Sequence, residues 1–283
     1  MVHIQAACPI QVKRTHFPFC RHENLAHSAS RGIGKQDGMA MDYLTRRRCI
    51  GGASAALVLA APAIHAQTAF RLGLTPVFLD NDAVVIDSLR RALESALELP
   101  IQLEQRRTYE EVTGMLLEGS LDAAWLCGYP FLQHRQTLSI MAVPVWRGRP
   151  LYQSYLIVQP DDPASSLADL NGAIHAFSDP NSNSGFLVTA SDLARVGMRP
   201  DDFFSRTIFT FGHRNVVRAV ADRLVRSGSV DGYVWEALAS SEQELASRTK
   251  VIAKSEWLGF PPFCALTDRM QEPKIAAMLS TAA

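Results

Sequence analysis

Residues 173–197 read AIHAFSDPNSNSGFLVTASDLARVG, and this stretch decides the fold. The run AIHAF at 173–177 is apolar enough for a buried strand, and the polar residues 181–184 separate it from a second apolar pattern. That pattern has the spacing of one helix face, and its members are Phe186, Leu187, Ala190, Leu193 and Ala194. Gly197 and Pro200 then stop the helix. A strand, a polar loop and a helix in this order form one unit of an α/β sheet.

The same alternation continues on both sides of this unit. Helical spacing recurs between strand-like runs, as in 85–97 and 216–228. The pattern predicts mostly parallel sheets flanked by helices rather than a sandwich or a helical bundle. The other predicted strands are 71–78, 101–105, 121–127, 138–146, 152–158, 207–211, 230–235 and 250–254.

One polar segment divides the chain into two lobes. Residues 161–172 are rich in turn-forming residues and are typical of a crossing between domains. We therefore predict a first lobe of 67–160 plus 250–283 and a second lobe of 161–249.

The charge is distributed unevenly along the chain. The formal net charge is zero over 283 residues, but residues 1–66 carry 8 Lys and Arg against 3 Asp and Glu. The remainder carries 20 Lys and Arg against 25 Asp and Glu, so the bulk of the protein is mildly acidic. No basic stripe is present, and this argues against nucleic acid as a partner.

The basic N-terminal part contains a predicted export signal. Arg46-Arg47-Arg48 precede the apolar run CIGGASAALVLAAPAIHA, which offers two possible cleavage sites, after Ala63 with the small-x-small form and after Ala66 with only the last residue small. A positive segment, an apolar segment and a small residue before the cut are typical of a secretory signal, here 41–66. The triple arginine also resembles a twin-arginine signal. We expect a periplasmic protein, and residues 1–40 remain an extension of unclear status.

Catalytic and metal-binding motifs are absent from the sequence. No GxSxG, HExxH, P-loop or GxGxxG pattern occurs, so we predict a protein that is not an enzyme. Beyond the signal only Cys127 and Cys264 remain, and their spacing suggests neither zinc nor a disulfide framework. Whether the two pair is left open. We predict no cofactor and no metal.

Three loops follow predicted strands at the edge of an α/β sheet where ligands bind, 75–82, 178–184 and 212–215. Ser182, Asn183 and Ser184 stand at a helix start, where backbone N–H groups and hydroxyls can hold an oxyanion without a lysine. Serine and asparagine are also the preferred helix caps, so a cap alone is the alternative. Thr75 and His213 are the candidates in the other two loops.

Four segments together resemble the phosphonate/phosphite/phosphate-binding periplasmic proteins of ABC importers, over most of 70–265. The segments are LDAAWLCGYP (121–130), SDPNSNSG (178–185), FGHRNVVRAV (211–220) and GSVDGYVWE (228–236). The resemblance implies a type II periplasmic-binding-protein fold, with two hinged lobes that each contain a mixed, mostly parallel sheet flanked by helices.

The resemblance also implies a set of ligand-binding residues. In that family a Ser-x-Ser loop grips the oxyanion, and a Gly-x-His loop, first-lobe tyrosines and an acidic residue complete the site. The acidic residue could accept from a protonated oxygen or from a substrate amine. The matching residues here are Ser182, Asn183, Ser184, His213, Tyr109, Tyr129 and Glu236.

Cys127 departs from the family pattern. It stands at the cleft-facing end of a predicted strand, where a thiol is a poor partner for a phosphoryl oxygen. A branch of the family that senses arsenite for a histidine kinase uses a cysteine as the arsenic ligand, as a soft thiolate should.

We therefore expect an exported solute-binding protein that delivers a small oxyanion to an ABC permease. The alternative is an arsenite-sensing protein that acts on a membrane sensor kinase, with Cys127 as ligand. An enzyme on the same fold is a remote alternative.

Overall fold

The computed structural model describes residues 11–13, 69–77 and 83–281. The predicted signal, 41–66, and most of the extension, 1–40, lie outside the described residues. Within the described part, no helix is both long and apolar enough to cross a membrane.

The first sheet has six strands in the order β1-β5-β13-β4-β2-β3. Pairing is parallel among β4, β2 and β3 and antiparallel among the other three strands and β4. The strands are β1 (Gln11–Lys13), β2 (Phe70–Leu74), β3 (Ile101–Gln105), β4 (Ala123–Trp125), β5 (Leu138–Val145) and β13 (Phe263–Leu266).

The second sheet has five strands in the order β11-β7-β10-β8-β9. Pairing is parallel among β10, β8 and β9 and antiparallel from β10 through β7 to β11. The strands are β7 (Ser154–Val158), β8 (Ile174–Phe177), β9 (Arg206–Phe209), β10 (Ser227–Asp231) and β11 (Lys250–Lys254). The first sheet thus has two parallel and three antiparallel pairings and the second has two of each, whereas the sequence predicts mostly parallel sheets.

Between the two sheets, β6 (Leu151–Tyr152) and β12 (Leu258–Gly259) pair in a short antiparallel ribbon. The helices are α1 (Ala83–Leu97), α2 (Tyr109–Leu117), α3 (Gly128–Gln133), α4 (Val188–Arg195), α5 (Pro200–Phe203), α6 (His213–Ala221), α7 (Gly232–Ser241), α8 (Gln243–Ser247) and α9 (Pro273–Thr281). Short 3₁₀ turns occur at Ala168–Leu170 and Thr267–Arg269.

Sheet membership moves the lobe boundaries from those expected near 160 and 249. Strands β7 and β11 belong to the second sheet, although the sequence division assigns both to the first lobe. They pair with each other as neighbours. The chain therefore passes from the first sheet to the second between β5 and β7, at 146–153, and returns between β11 and β13, at 255–262. A breaker-rich segment such as 161–172 therefore marks a loop within the second lobe, not the crossing.

The segment 230–235 is the main error in the predicted elements. Strand β10 ends at Asp231, and Gly232 begins α7, so the expected strand is the junction of a strand and a helix. The Asp231 carboxylate accepts from the backbone N–H of Tyr233 at 3.1 Å and caps the helix. A Cβ at Gly232 would lie 2.7 Å from the Gln153 carbonyl oxygen, so only glycine fits this close approach.

An apolar core supports each lobe. One cluster packs Phe177, Leu193, Phe203 and Phe204 on the second sheet. A larger cluster runs from the first sheet through buried tyrosines, including Tyr152, into the second. Burial of these aromatic side chains, each worth a few kcal/mol, fixes the sheet edges that carry the candidate site.

Candidate functional site

The loop after β8 is a tight turn with its polar groups turned inward. The Ser182 hydroxyl accepts from the backbone N–H of Gly185 at 3.0 Å, so this side chain is the helix cap that the alternative interpretation predicts. Residues Asn183–Leu187 form one π-helical turn that leads into α4. A Cβ at Gly185 would lie 1.8 Å from the Ser178 hydroxyl oxygen, so the turn depends on glycine at this position.

Ser184 and Asp231 join this loop to the end of β10. The Ser184 hydroxyl donates to Oδ2 of Asp231 at 3.1 Å, and the Ser184 carbonyl accepts from the Ser154 hydroxyl at 2.6 Å. All three side chains are buried. Burial raises the pKa of Asp231 well above its ordinary value, although the hydrogen bond from Ser184 opposes the shift. Sequence reasoning missed Asp231, because a strand was expected to continue through it.

His213 is held in one tautomer by its neighbours. The backbone N–H of Asp231 donates to Nδ1 at 3.0 Å, and Nε2 lies 3.1 Å from the Tyr109 hydroxyl. Burial lowers the pKa of His213 to about 3, so the ring is neutral and its proton sits on Nε2. His213 therefore donates to the oxygen of Tyr109.

Tyr109 brings the first lobe into this cluster. Its oxygen lies 3.1 Å from His213 Nε2, which donates to it, and its hydroxyl also interacts with the Ser182 side chain. Burial raises the pKa of Tyr109 well above its ordinary value and keeps the group protonated. Its backbone N–H, at the start of α2, donates to Oδ2 of Asp179 at 3.2 Å. Asp179 follows β8, so this is a second hydrogen bond between the lobes.

Cys127 meets the same loop from the first lobe. Its Sγ accepts from the backbone N–H of Asn183 at 3.3 Å, and the Asn183 amide donates to the Tyr152 hydroxyl at 3.1 Å. Burial raises the pKa of Cys127 to about 11, so the group is a thiol rather than a thiolate at neutral pH. Cys127 and Cys264 are both free, so the pairing that the sequence left open is not formed.

Two buried hydroxyls in this region lack a partner among the described residues, those of Tyr233 and Ser178. Tyr233 follows the cap of α7, and the charges that act on its pKa are those of Asp231, Tyr109, Tyr152 and Cys127. Its ring centroid lies 6.3 Å from that of Tyr152. A buried hydroxyl without a partner costs about 1–3 kcal/mol, which a ligand oxygen would recover. No sequence pattern distinguished Tyr233 from a core aromatic residue.

We call the set Tyr109, Cys127, Ser182, Asn183, Ser184, His213, Asp231 and Tyr233 the polar cluster. Its hydrogen bonds come from hydroxyl, imidazole and backbone donors rather than from cations. Arg214, beside His213 in the sequence, is instead bound to Glu242, with Nε 2.7 Å from the carboxylate. Neutral donors at a helix start can hold an anion through partial charges alone.

The side chains of three expected site residues, Thr75, Tyr129 and Glu236, make no hydrogen bond to the polar cluster among the described residues. The Thr75 hydroxyl donates to the Trp125 carbonyl at 3.1 Å, so it ties β2 to β4. Tyr129 lies half-buried in the first turn of α3, and its hydroxyl makes no hydrogen bond to another described residue.

Glu236 lies in the second turn of α7 and faces the hairpin after β5. Its carboxylate accepts from Trp146 Nε1 at 3.1 Å and from the Tyr155 hydroxyl at 2.6 Å, and Arg147 pairs with it at 3.0 Å. Asp231, not Glu236, is the carboxylate that contacts the serine loop. Among the described residues, no group of three or more His, Cys, Asp or Glu side chains is placed to hold a metal ion.

Comparison with known families gives one match over most of the chain. Residues 72–282 match the model of the family described as the periplasmic substrate-binding protein of the phosphonate ABC transporter. A search of the curated proteins finds no match.

Solved structures share the fold. A binding-protein component of a phosphonate ABC transporter from Pseudomonas aeruginosa is 21% identical, with a TM-score of 0.66 over 76% of this chain and 73% of that one. PhnD1 from Prochlorococcus marinus, solved with methylphosphonate, is 17% identical, with a TM-score of 0.65 over 75% and 83% of the two chains. A histidine kinase sensor domain is 14% identical, with a TM-score of 0.55 over 77% and 90%. The predicted α/β binding-protein fold is confirmed.

Proposed function

The chain belongs to the family of periplasmic substrate-binding proteins of phosphonate ABC transporters, and from this we propose that it binds a phosphonate-type oxyanion and delivers it to the importer's permease. The observation that carries the proposal is the polar cluster, in which neutral donors from both lobes converge. We extend the proposal to export through the predicted signal, by the twin-arginine route.

We place the ligand oxygens against two kinds of donor. The Tyr233 hydroxyl is buried without a partner among the described residues, and the Tyr109 hydroxyl accepts from His213; we propose that both donate to the ligand. In the turn at Ser182–Ser184, the backbone N–H of Ser182 is bound to the Asp179 carbonyl and that of Asn183 points at Cys127 Sγ, so a ligand oxygen would replace the weak sulfur contact at Asn183. A tetrahedral oxyanion can accept from both sides only when the lobes are together, so ligand binding favours the closed arrangement.

Asp231 sets the protonation state of the ligand in this proposal. It is a buried carboxyl beside the serine loop, and burial raises its pKa well above the ordinary value. A carboxylate and an oxyanion repel each other in a buried site unless they share a proton. We therefore expect the protein to bind a singly protonated phosphonate, or to take up one proton on binding.

A second candidate function rests on the contact between Cys127 Sγ and the Asn183 N–H, which places a thiol in the ligand loop. Arsenous acid could condense with this thiol, forming one As–S bond and releasing one water molecule. The partner would then be a membrane sensor kinase rather than a permease. The phosphonate proposal is preferred because the rest of the polar cluster consists of oxygen and nitrogen donors suited to an oxyanion.

Calorimetric titration of the mature protein with methylphosphonate, phosphite, phosphate, sulfate and arsenite separates these functions. We expect methylphosphonate to bind, and Cys127→Ser to leave its affinity within about threefold, since one weak sulfur contact is replaced by a hydroxyl. Cys264→Ala, at a buried site in β13, is the control for the loss of a thiol. Arsenite binding that Cys127→Ser abolishes, without phosphonate binding, would replace the transport function by the sensing one.

A further inference from the structure

A separate cavity lies beside the polar cluster. It measures about 160 Å³ and is bounded by the hairpin after β5, by the start of α7 and by Trp257. Five aromatic side chains line it, namely Trp146, Tyr152, Tyr155, Tyr233 and Trp257. An apolar cavity of about 150 Å³ holds a molecule the size of benzene, so this one has room for a ring.

Two of the aromatic residues connect the cavity to the polar cluster. Tyr152 lines the cavity, and its hydroxyl accepts from the Asn183 side chain. Tyr233 also lines the cavity; its backbone N–H donates to Asp231 at 3.1 Å, and its buried hydroxyl has no partner among the described residues. Tyr152 and Tyr233 are therefore shared between the cavity and the polar cluster.

The charges around the cavity disfavour a cation. Glu236 is the one carboxylate among the described lining residues, and Trp146, Tyr155 and Arg147 already occupy it. Three cations lie over the rings of the lining, at 5.5, 5.1 and 4.6 Å from the ring centroids. They are Arg147 over Trp146, Arg149 over Trp257 and Lys254 over Tyr155. A further positive charge would meet three like charges.

From the shape, the shared tyrosines and these charges, we propose that the cavity receives the organic substituent of the ligand, and that this substituent is flat and carries no positive charge, as in an aryl phosphonate. The inference rests on the proposed function. The inference adds to the proposed function a preference for aryl phosphonates over both inorganic oxyanions and aminoalkyl phosphonates. Ring stacking between a bound aryl group and the lining would contribute a further gain of about threefold to tenfold in affinity.

The mature protein is titrated by calorimetry with phenylphosphonate, methylphosphonate, 2-aminoethylphosphonate and inorganic phosphate. We expect phenylphosphonate to bind about tenfold more tightly than methylphosphonate. We expect 2-aminoethylphosphonate to bind more weakly than methylphosphonate, because its ammonium group approaches Arg147, Arg149 and Lys254.

Two variants test whether the cavity causes this order. Trp257→Ala removes a half-exposed wall, and we expect it to weaken phenylphosphonate about threefold to tenfold and to leave methylphosphonate unchanged. Leu151→Trp fills the cavity and should act in the same direction. Leu224→Ala, an exposed apolar residue away from the lining, is the control and should change neither affinity.

The outcomes separate this inference from the proposed function. If methylphosphonate binds and phenylphosphonate does not, or if the amino compound binds best, the cavity proposal is wrong while the binding function stands. If none of the phosphonates binds, the proposed function itself fails. Equal losses for both ligands in Trp257→Ala would also overturn the proposal, since the wall would then act on the fold and not on the substituent.

Discussion

At the scale of single residues, the hydrogen bonds around His213 fix the position of its ring proton. His213 receives a hydrogen bond at Nδ1 from the Asp231 backbone and so donates from Nε2 to the Tyr109 oxygen. We expect the Tyr109 hydroxyl to donate its own proton to a ligand oxygen. A group that offers its proton and is already oriented can bind an oxyanion with little further loss of entropy.

Tyr109→Phe removes this proton and leaves the ring in place. We expect the phosphonate affinity to fall about twofold to tenfold, the range of one neutral hydrogen bond, as measured by calorimetry. Tyr129→Phe is the matched control, because the Tyr129 hydroxyl makes no hydrogen bond to a described residue. Equal losses in the two variants would show that Tyr129 also contacts the ligand and that the polar cluster is incomplete.

At the scale of elements, the turn between β8 and α4 shows what the sequence could and could not predict. The order strand, polar loop, helix is confirmed at 174–195, because hydrophobic spacing and breaker residues depend only on nearby positions. Ser182, Asn183, Ser184, His213, Tyr109 and Cys127 are brought together, as expected from loops that follow strands. Their role as ligand contacts stays a prediction.

The junction of β10 and α7 could not be predicted in the same way. The segment VDGYVW fits a strand by composition, but Asp231 caps a helix at this point, and the Gly232 N–H donates to the carbonyl of Gln153, 79 positions earlier in the chain. Once the helix begins there, Asp231 becomes a cap beside Ser184, and Glu236 turns toward Trp146. Both assignments depend on tertiary contacts that spacing does not encode.

Gly185→Ala tests the tightness of the oxyanion turn. The added Cβ would overlap the Ser178 hydroxyl, so the turn must shift, at a cost of about 1–3 kcal/mol in the free energy of unfolding and with loss of phosphonate binding. Gly114→Ala, in the middle of α2 with open space around it, is the control and should stabilise the protein by up to about 1 kcal/mol. Denaturant unfolding and calorimetry measure the two effects. Unchanged ligand binding in Gly185→Ala would mean that this turn does not hold the ligand.

At the scale of the whole molecule, buried histidines couple stability to pH. Burial lowers the pKa of His175 to about 3, against 6.5 for a solvated histidine, and His213 behaves alike. Between these pH values the unfolded chain binds protons that the folded chain excludes, so the free energy of unfolding falls as the pH decreases. Asp179 and Asp231 act in the opposite direction, because burial raises their pKa values.

The His175→Gln variant isolates the contribution of His175 to the pH dependence of the free energy of unfolding. We expect the loss of stability of the wild type from pH 6.5 to pH 5 to exceed that of His175→Gln by up to about 2 kcal/mol. Glutamine can keep hydrogen bonds to Ser227 and Ser229 but does not titrate. Urea unfolding at the two pH values gives the comparison. Identical pH dependence in both proteins would show that His175 is protonated in the folded state as readily as in the unfolded one.

The pairing of β7 with β11 has a consequence for how this chain is assembled. Every described strand of the second sheet lies between Ser154 and Lys254, and Ser255 N–H donates to the Ser154 carbonyl at 2.9 Å immediately beyond it. The chain thus leaves the first lobe and returns to it at almost the same point. In topological terms the second lobe is an insertion with adjoining ends. Its length and loops can therefore vary without changing the distance that the first lobe must span.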